Sequence, residues 1–361
     1  MSALMTSISN ISTPVKAFLN LEYSLAASSL SLGIALPIIL SCPMMGYFSD
    51  SHKHYSWQPF TSDEKQAPGL FDDPQKVETG APLIDRRNPL LLIFHRYVAF
   101  LSDVYTQIIT KYEAFLDWKG SPSQTYIDPS LTQSYRWKEK STGLYVFIHG
   151  IHGHPSCWNA YKKAIEAHDP NADVCLIKVN NGGDCSLEEA TTPILNLLKN
   201  YTTKYRDKPI ALVGTSRGGP IVASLELKMR KLAQKPKVYV GTIAGAHHGS
   251  LMMTLLKMTG CAHLWFSPEV IEELSYKSDC SKELLEQQQK KLTTKRKFRS
   301  YCTTEEFQIQ PCISAFSRLV IETSSKSIAK ERFYVHGSGH LSIVDRVQTH
   351  LLNDLFEWMK N

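Results

Sequence analysis

One short run of this sequence has the residue types and spacing of an activated nucleophile. Ile210-Ala-Leu-Val leads into Gly214-Thr215-Ser216-Arg217-Gly218, and the chain continues through the helix-compatible Ile221-Val-Ala-Ser-Leu. A G-x-S-x-G placed between a buried strand and a helix is a nucleophile elbow. The turn forces the serine into a strained backbone conformation, and a side chain at 214 or 218 would collide with the neighbouring strand and helix. A serine hydroxyl attacks a carbonyl only with a base within hydrogen-bond reach and a third group to orient that base. The implied chemistry is acyl transfer at Ser216, with base, acid and oxyanion site to be found elsewhere in the chain.

His340 is the candidate base. It lies in Val335-His336-Gly337-Ser338-Gly339-His340-Leu341-Ser342, between the last predicted strand and the last predicted helix. A loop there can carry an imidazole over the carboxyl edge of a sheet; His336, nearer the strand, is its competitor. The acid is expected directly after the predicted strand Phe298–Cys302, where Glu305 and Glu306 stand. Glu306 precedes the apolar Ile309 by three residues, which can pin the loop beneath the histidine. It is the first choice and Glu305 the rival. The oxyanion needs the N–H of Arg217 and a second donor from Phe147-Ile148-His149-Gly150-Ile151-His152-Gly153, where Ile151 is preferred and His152 is the alternative. His149, Gly150, His152 and His247 are candidate substrate contacts. His149, His152 and His154 alternate, but the loop's agreement with an oxyanion loop argues against a metal, and no metal or other cofactor is expected.

From about Thr142 to the C-terminus the chain resembles the bacterial lipase and esterase branch of the α/β-hydrolase superfamily. The matching pieces are Ile148-His149-Gly150, the elbow around Ser216, Thr242-Ile-Ala-Gly-Ala-His247-His248-Gly249-Ser250, and Gly339-His340-Leu341-Ser342. The third is similar to the T-P-H-H-G-S loop of lipases. The resemblance implies an α/β-hydrolase fold: a mostly parallel sheet with helices on both faces and a small cap after that fold's sixth strand, here about 251–295. It also implies a carboxylic ester, lipid-like, as substrate. Three residues depart from the pattern. Ala246 replaces a proline, Arg217 stands where lipases often carry an apolar or neutral residue, and the acid is Glu rather than Asp. A charge beside the nucleophile argues against a fully apolar acyl pocket.

The elements that must position these residues are legible as alternating apolar runs and helical patterns, the signature of a parallel α/β sheet. Strands are predicted at Leu144–His149, Val174–Val179, Ile210–Val213, Val238–Ala244, Phe298–Cys302 and Phe333–His336. Ser186 with Glu189 forms a capping box that starts a helix through Leu198, and Ile343, Val347, Leu351, Leu355 and Met359 stripe the last helix. Residues 141–361 therefore read as the catalytic domain, with the Met-rich helix from Leu251 suited to covering a lipophilic substrate.

Upstream, residues 1–54 form an N-terminal segment. No charge occurs from Tyr23 to Ser49, and about 26–48 is long enough to cross a bilayer as a hydrophobic helix. A single N-terminal anchor and a membrane-associated protein are expected, with an export signal or a buried hairpin, hence a secreted or cytoplasmic protein, as alternatives. Residues 55–140 read as a proline-punctuated linker followed by a long amphipathic helix over 89–118. Packing of that helix on the hydrolase core is expected, and lying on a membrane surface is the alternative.

A net charge of +6 with 43% hydrophobic and 20% charged residues excludes a disordered chain and argues against a nucleic-acid partner. The basic cluster Lys290, Lys291, Lys295, Arg296, Lys297 and Arg299 reads as a solvated helix end, or as a site for an anionic membrane. Eight cysteines without a C-x-x-C pair argue against structural zinc and point toward a reducing compartment. Together these features predict a serine hydrolase of lipid or small esters using a Ser-His-Glu triad, associated with a membrane. An acyltransferase with the same triad and a catalytically silent binding scaffold are the alternatives. Oligomeric state is not written in these patterns.

Overall fold

A computed structural model describes residues 77–79, 89–119, 126–128, 136–232, 234, 236–289, 295–303, 305–306, 308–309, 315, 332–335 and 338–360. The expected anchor over 26–48, His336, Cys42 and Cys312 lie outside these residues. Among the described residues no helix is long and apolar enough to cross a membrane.

Seven strands form one sheet: β1 (Val77–Thr79), β2 (Leu144–Ile148), β3 (Asp173–Ile177), β4 (Ile210–Thr215), β5 (Val238–Ile243), β6 (Arg296–Thr303) and β7 (Arg332–Val335). Their order is β1-β7-β6-β5-β4-β2-β3, and every pairing is parallel except the antiparallel edge β1–β7. Strands β2 to β5 are buried along their whole length, which is why they read as continuous apolar runs rather than as alternation. All six predicted strands are present. The strand β1 was not foreseen, because it falls in a segment read as linker; its pairing to β7 gives it extended structure that three residues cannot encode alone.

Successive side chains of a strand point to opposite faces, so the sheet sorts its residues into two cores. On one face Val146, Ile148, Leu212 and Val240 meet α3 (Leu187–Lys204) and α4 (Gly218–Met229) through Ile194, Leu198, Ile221 and Leu225. On the other, Phe147, Leu176, Val213 and Tyr239 meet α2 (Asn159–His168), α8 (Ile343–Arg346) and α9 (Gln348–Lys360) through Tyr161, Ile165, Val347, Leu351 and Leu355. The predicted capping box is formed: Ser186 Oγ accepts from Glu189 N while Glu189 Oε2 accepts from Ser186 N, opening α3. This is the expected mostly parallel sheet with helices on both faces. Because β2 lies between β3 and β4, the loops leaving β2 and β4 diverge to opposite faces, the point at which open α/β sheets bind ligands at their carboxyl ends.

The region 251–295 contains α5 (Leu251–Met258), α6 (Pro268–Leu274) and α7 (Asp279–Gln289) between β5 and β6. The basic cluster lies elsewhere than expected. Lys290 and Lys291 lie outside the described residues; Lys295 immediately precedes β6, and Arg296, Lys297 and Arg299 lie within that strand, so these four do not form a helix end. Arg296 pairs with Glu226 at 3.0 Å, and Lys297 and Arg299 pair with Asp354 at 2.6 and 3.0 Å. These charges are committed inside the protein.

The long helix α1 (Pro89–Trp118) also departs from expectation. Its apolar stripe, Tyr97, Leu101, Tyr105, Ile108 and Tyr112, faces outward and is 48–66% exposed. The side turned to the core is small and polar: Ala99 and Asp103 are buried, Asn159 Nδ2 donates to Glu113 Oε2 at 2.9 Å, and Asp117 lies 3.5 Å from His154. Carboxylates rather than hydrophobic area hold this helix in place.

Leu212, fully buried at the sheet centre, tests which contacts carry the fold. Leu212→Ala is expected to destabilise by about 2–5 kcal/mol in urea unfolding. Leu264→Ala, at an exposed position, should stay within about 0.5 kcal/mol of the parent.

Candidate active site

The turn between β4 and α4 is two residues long, Ser216 and Arg217. Ser216 has φ 53, a left-handed conformation that costs a non-glycine residue about 1–3 kcal/mol. Surrounding backbone holds it there: Ser216 N donates to Ile243 O at 3.0 Å, and Ser216 O accepts from Gly219 N at 3.0 Å and Ala246 N at 3.2 Å. The expected collision at 214 is real, since a Cβ there would stand 2.2 Å from the Gly218 carbonyl oxygen. The elbow places the hydroxyl at the carboxyl edge of the sheet, beside Gly150 of the loop after β2.

His340 and Glu306 come together at the same edge. The loop after β6 carries Glu306 and the loop after β7 carries His340; Nδ1 of the imidazole and Oε2 of the carboxylate are 2.7 Å apart, with both side chains buried. The other oxygen of Glu306 accepts from Gln308 N at 2.7 Å and Ile309 N at 3.1 Å, so the carboxylate is fixed from both ends. Glu305 is buried too, but its Oε2 lies 3.2 Å from Thr303 Oγ1 instead. An Nδ1–H donated to Glu306 leaves Nε2 as the free base. Burial opposes the imidazolium, yet the charge of Glu306, its hydrogen bond and the charge of Asp103 outweigh burial and raise the His340 pKa above its ordinary value. Among the described residues no hydrogen bond joins His340 to Ser216 Oγ; such contacts are often long until substrate tightens them.

The loop after β2 lies directly against the nucleophile. A Cβ on Gly150 would stand 2.7 Å from Ser216 Cβ, so only glycine lets the main chain pass there. The N–H of His152 donates to Gly182 O at 2.7 Å, whereas Ile151 and Arg217 N–H meet no acceptor among the described residues. Behind those two amides α4 presents its positive end. His149 was expected at the substrate, but its Nδ1 lies 2.7 Å from Gly150 O and its Nε2 accepts from Val179 N at 3.2 Å. Burial lowers its pKa to about 4, and the neutral ring braces the loop. His247 is likewise fully buried, packed on Gly219 and Gly245 beneath the elbow, with burial lowering its pKa to about 3. Of the expected substrate-contact histidines only His152 is exposed, near the ring of Phe266 from the cap.

The charge of Arg217 does not enter an acyl pocket. Its side chain is buried and turns to the cap, where its guanidinium pairs with Glu273 of α6 and donates to Cys185 O at 3.2 Å. Glu273 also accepts from Leu187 N at 2.9 Å, so one carboxylate ties the cap to both the elbow and the start of α3. Neither Glu273 nor Asp103 was singled out in the sequence. Asp103 left a faint signal as the one charged residue between Arg96 and Lys111, while Glu273 sits in an ordinary polar helix with none. Removing one partner of a buried ion pair strands the other, so Glu273→Gln is expected to cost about 3–5 kcal/mol in thermal unfolding. The double replacement Arg217→Met with Glu273→Leu should recover most of that loss.

No family model and no curated protein matches the chain. Among solved structures it is similar to the phospholipase PlaB from Legionella pneumophila in complex with thio-NAD, at 17% identity over 40% of this chain and 33% of that one, with a TM-score of 0.32. It is similar to the mature form of the Bacillus licheniformis lipase BlEst2, at 17% identity over 60% of this chain and 94% of that one, TM-score 0.40. Aspergillus fumigatus lipase B matches at 11% identity over 58% of this chain and 51% of that one, TM-score 0.42. The chain thus overlaps only a third of the Legionella phospholipase. What this site can do follows from its own atoms.

Proposed function

We propose that this protein is a serine hydrolase of lipid-like carboxylic esters that works through an acyl-enzyme. The observation that carries the reading is the buried His340–Glu306 hydrogen bond at the same sheet edge as the strained Ser216. Ser216 Oγ attacks the ester carbonyl while His340 Nε2 takes its proton, and Glu306 holds the imidazole in the tautomer that permits this. The oxyanion falls between the Arg217 and Ile151 amides. The alkoxide leaves with the proton from His340, and a water activated by the same imidazole then releases the acid. Transfer to an alcohol would use the same steps, and product analysis with added glycerol separates the two outcomes.

In p-nitrophenyl ester assays a burst of nitrophenol is expected, lost in Ser216→Ala. Glu306→Gln should lower kcat by about 10⁴-fold, as loss of the charge behind the histidine does in other triads. The absence of turnover on every ester by a folded protein would leave the silent scaffold standing. Because His340 must be neutral to act, kcat/KM should rise with pH through an inflection above the usual imidazole value of about 6.5.

Two exposed apolar surfaces support the lipid side of the reading: the outer stripe of α1, and Leu255, Met258 and Leu264 of the cap region. A helix presenting such a stripe to solvent can lie in a bilayer interface. The triple variant Tyr105→Ser, Ile108→Ser, Tyr112→Ser should lose co-flotation with phospholipid vesicles while keeping turnover of a short soluble ester.

A further inference from the structure

Helix α1 lies outside the sheet and its covering helices, yet it reaches the histidine loop. Asp103, in the middle of its inner face, is buried beside Ala99. One oxygen, Oδ1, accepts from Leu341 N at 3.0 Å, from Ser342 N at 2.9 Å and from Ser342 Oγ at 2.9 Å. Ser342 Oγ in turn accepts from Gly339 N at 2.9 Å. The backbone on both sides of His340 is thereby tied, directly or through one hydroxyl, to a carboxylate 238 residues away in sequence. The approach is tight enough to require glycine at 339, where a Cβ would meet Asp103 Oδ2 at 2.3 Å.

The second oxygen of Asp103 is buried and has no hydrogen-bond partner among the described residues. A loop anchor alone has no need of this. An uncharged asparagine oxygen would accept the same bonds without the penalty of burying a charge that is only half satisfied. Burial raises the Asp103 pKa above the usual carboxylate value against the Ser342 hydrogen bonds; of the charged groups that face it, His340 favours its ionised form and Glu306 opposes it. His340 in turn is faced by both carboxylates, Glu306 through a hydrogen bond and Asp103 through its field. An imidazolium forms there whenever Ser216 gives up its proton, and in a water-poor site a second fixed negative charge stabilises it.

We propose that Asp103 is a positioning residue for catalysis, a second carboxylate that fixes the His340 loop through Oδ1 and favours the imidazolium through its charge. The proposal rests on His340 being the base of the reaction proposed above. It makes α1, whose outer face is apolar, a working part of the active site rather than a covering element.

Asp103→Asn and Asp103→Ala, made in the full chain, separate the two roles. The readouts are the rate at which a fluorophosphonate labels Ser216, kcat and KM on a soluble ester, and the titration of His340 followed by NMR. Asp103→Asn should lower the His340 pKa, move the acid limb of labelling down by the same shift, and reduce kcat about 10-fold with KM unchanged. Asp103→Ala should reduce kcat about 100-fold or more, since the loop is also released. A His340 titration and a kcat unchanged in Asp103→Asn would overturn the role of the charge, and an Asp103→Ala variant as active as the parent would overturn the proposal. If Ser216 in the parent takes no label, the hydrolase reading fails, while the NMR titration, which needs no reaction, still decides whether Asp103 acts on His340.

Discussion

The site depends on one constraint, the left-handed backbone of Ser216 on a two-residue turn between the central strand β4 and helix α4. Such a conformation persists only where its surroundings over-determine it. Here they do so through hydrogen bonds from the neighbouring β5 and its following loop, and through contacts so close that Gly150 and Gly214 cannot carry a side chain. The same close contacts bring the loop after β2, whose Ile151 amide meets no acceptor among the described residues, against Ser216. Strain at one residue and proximity of the donors are thus two aspects of one packing arrangement.

Around that turn, three buried or nearly buried carboxylates connect parts of the molecule that share no strand. Glu306 holds the imidazole from the loop after β6, Asp103 holds the imidazole's loop from α1, and Glu273 holds the elbow's arginine from the cap. A charge removed from water is tolerated only when paired or hydrogen-bonded, so each of these contacts is specific in partner and geometry. They make the proposed active site the place where core, cap and helix α1 are joined. That explains why α1 can turn a polar face inward: what it meets there is a histidine loop and polar loop ends, not the sheet's apolar cores.

The inverted helix also bears on the proposed lipid substrate. An apolar stripe left in solvent is costly unless something covers it, and the cap region adds exposed apolar residues of its own. With the carboxylates inward and the apolar stripe outward, α1 connects an exposed apolar surface with the loop that carries His340.

The serine elbow and the fold class were written locally in the sequence, because each rests on a pattern a few residues wide. The apolar runs of β2 to β5, the capping box at Ser186 and the glycines flanking Ser216 are demands of backbone geometry that hold wherever those segments sit. His340 was legible for the same reason, as a histidine in a glycine-containing loop between strand and helix. Between Glu305 and Glu306 the sequence could only rank neighbours, and the folded loop turns just one of them to the imidazole. Pairings across long separations left no local trace: Glu306 with His340, Arg217 with Glu273 and Asp103 with Ser342 lie 34, 56 and 239 residues apart. The direction of α1 was undetermined as well, since an amphipathic pattern says that a helix has two faces but not which one the rest of the chain will meet. Only tertiary structure decided that, because it is the neighbouring loops, with their unpaired amides, that select a carboxylate over a leucine.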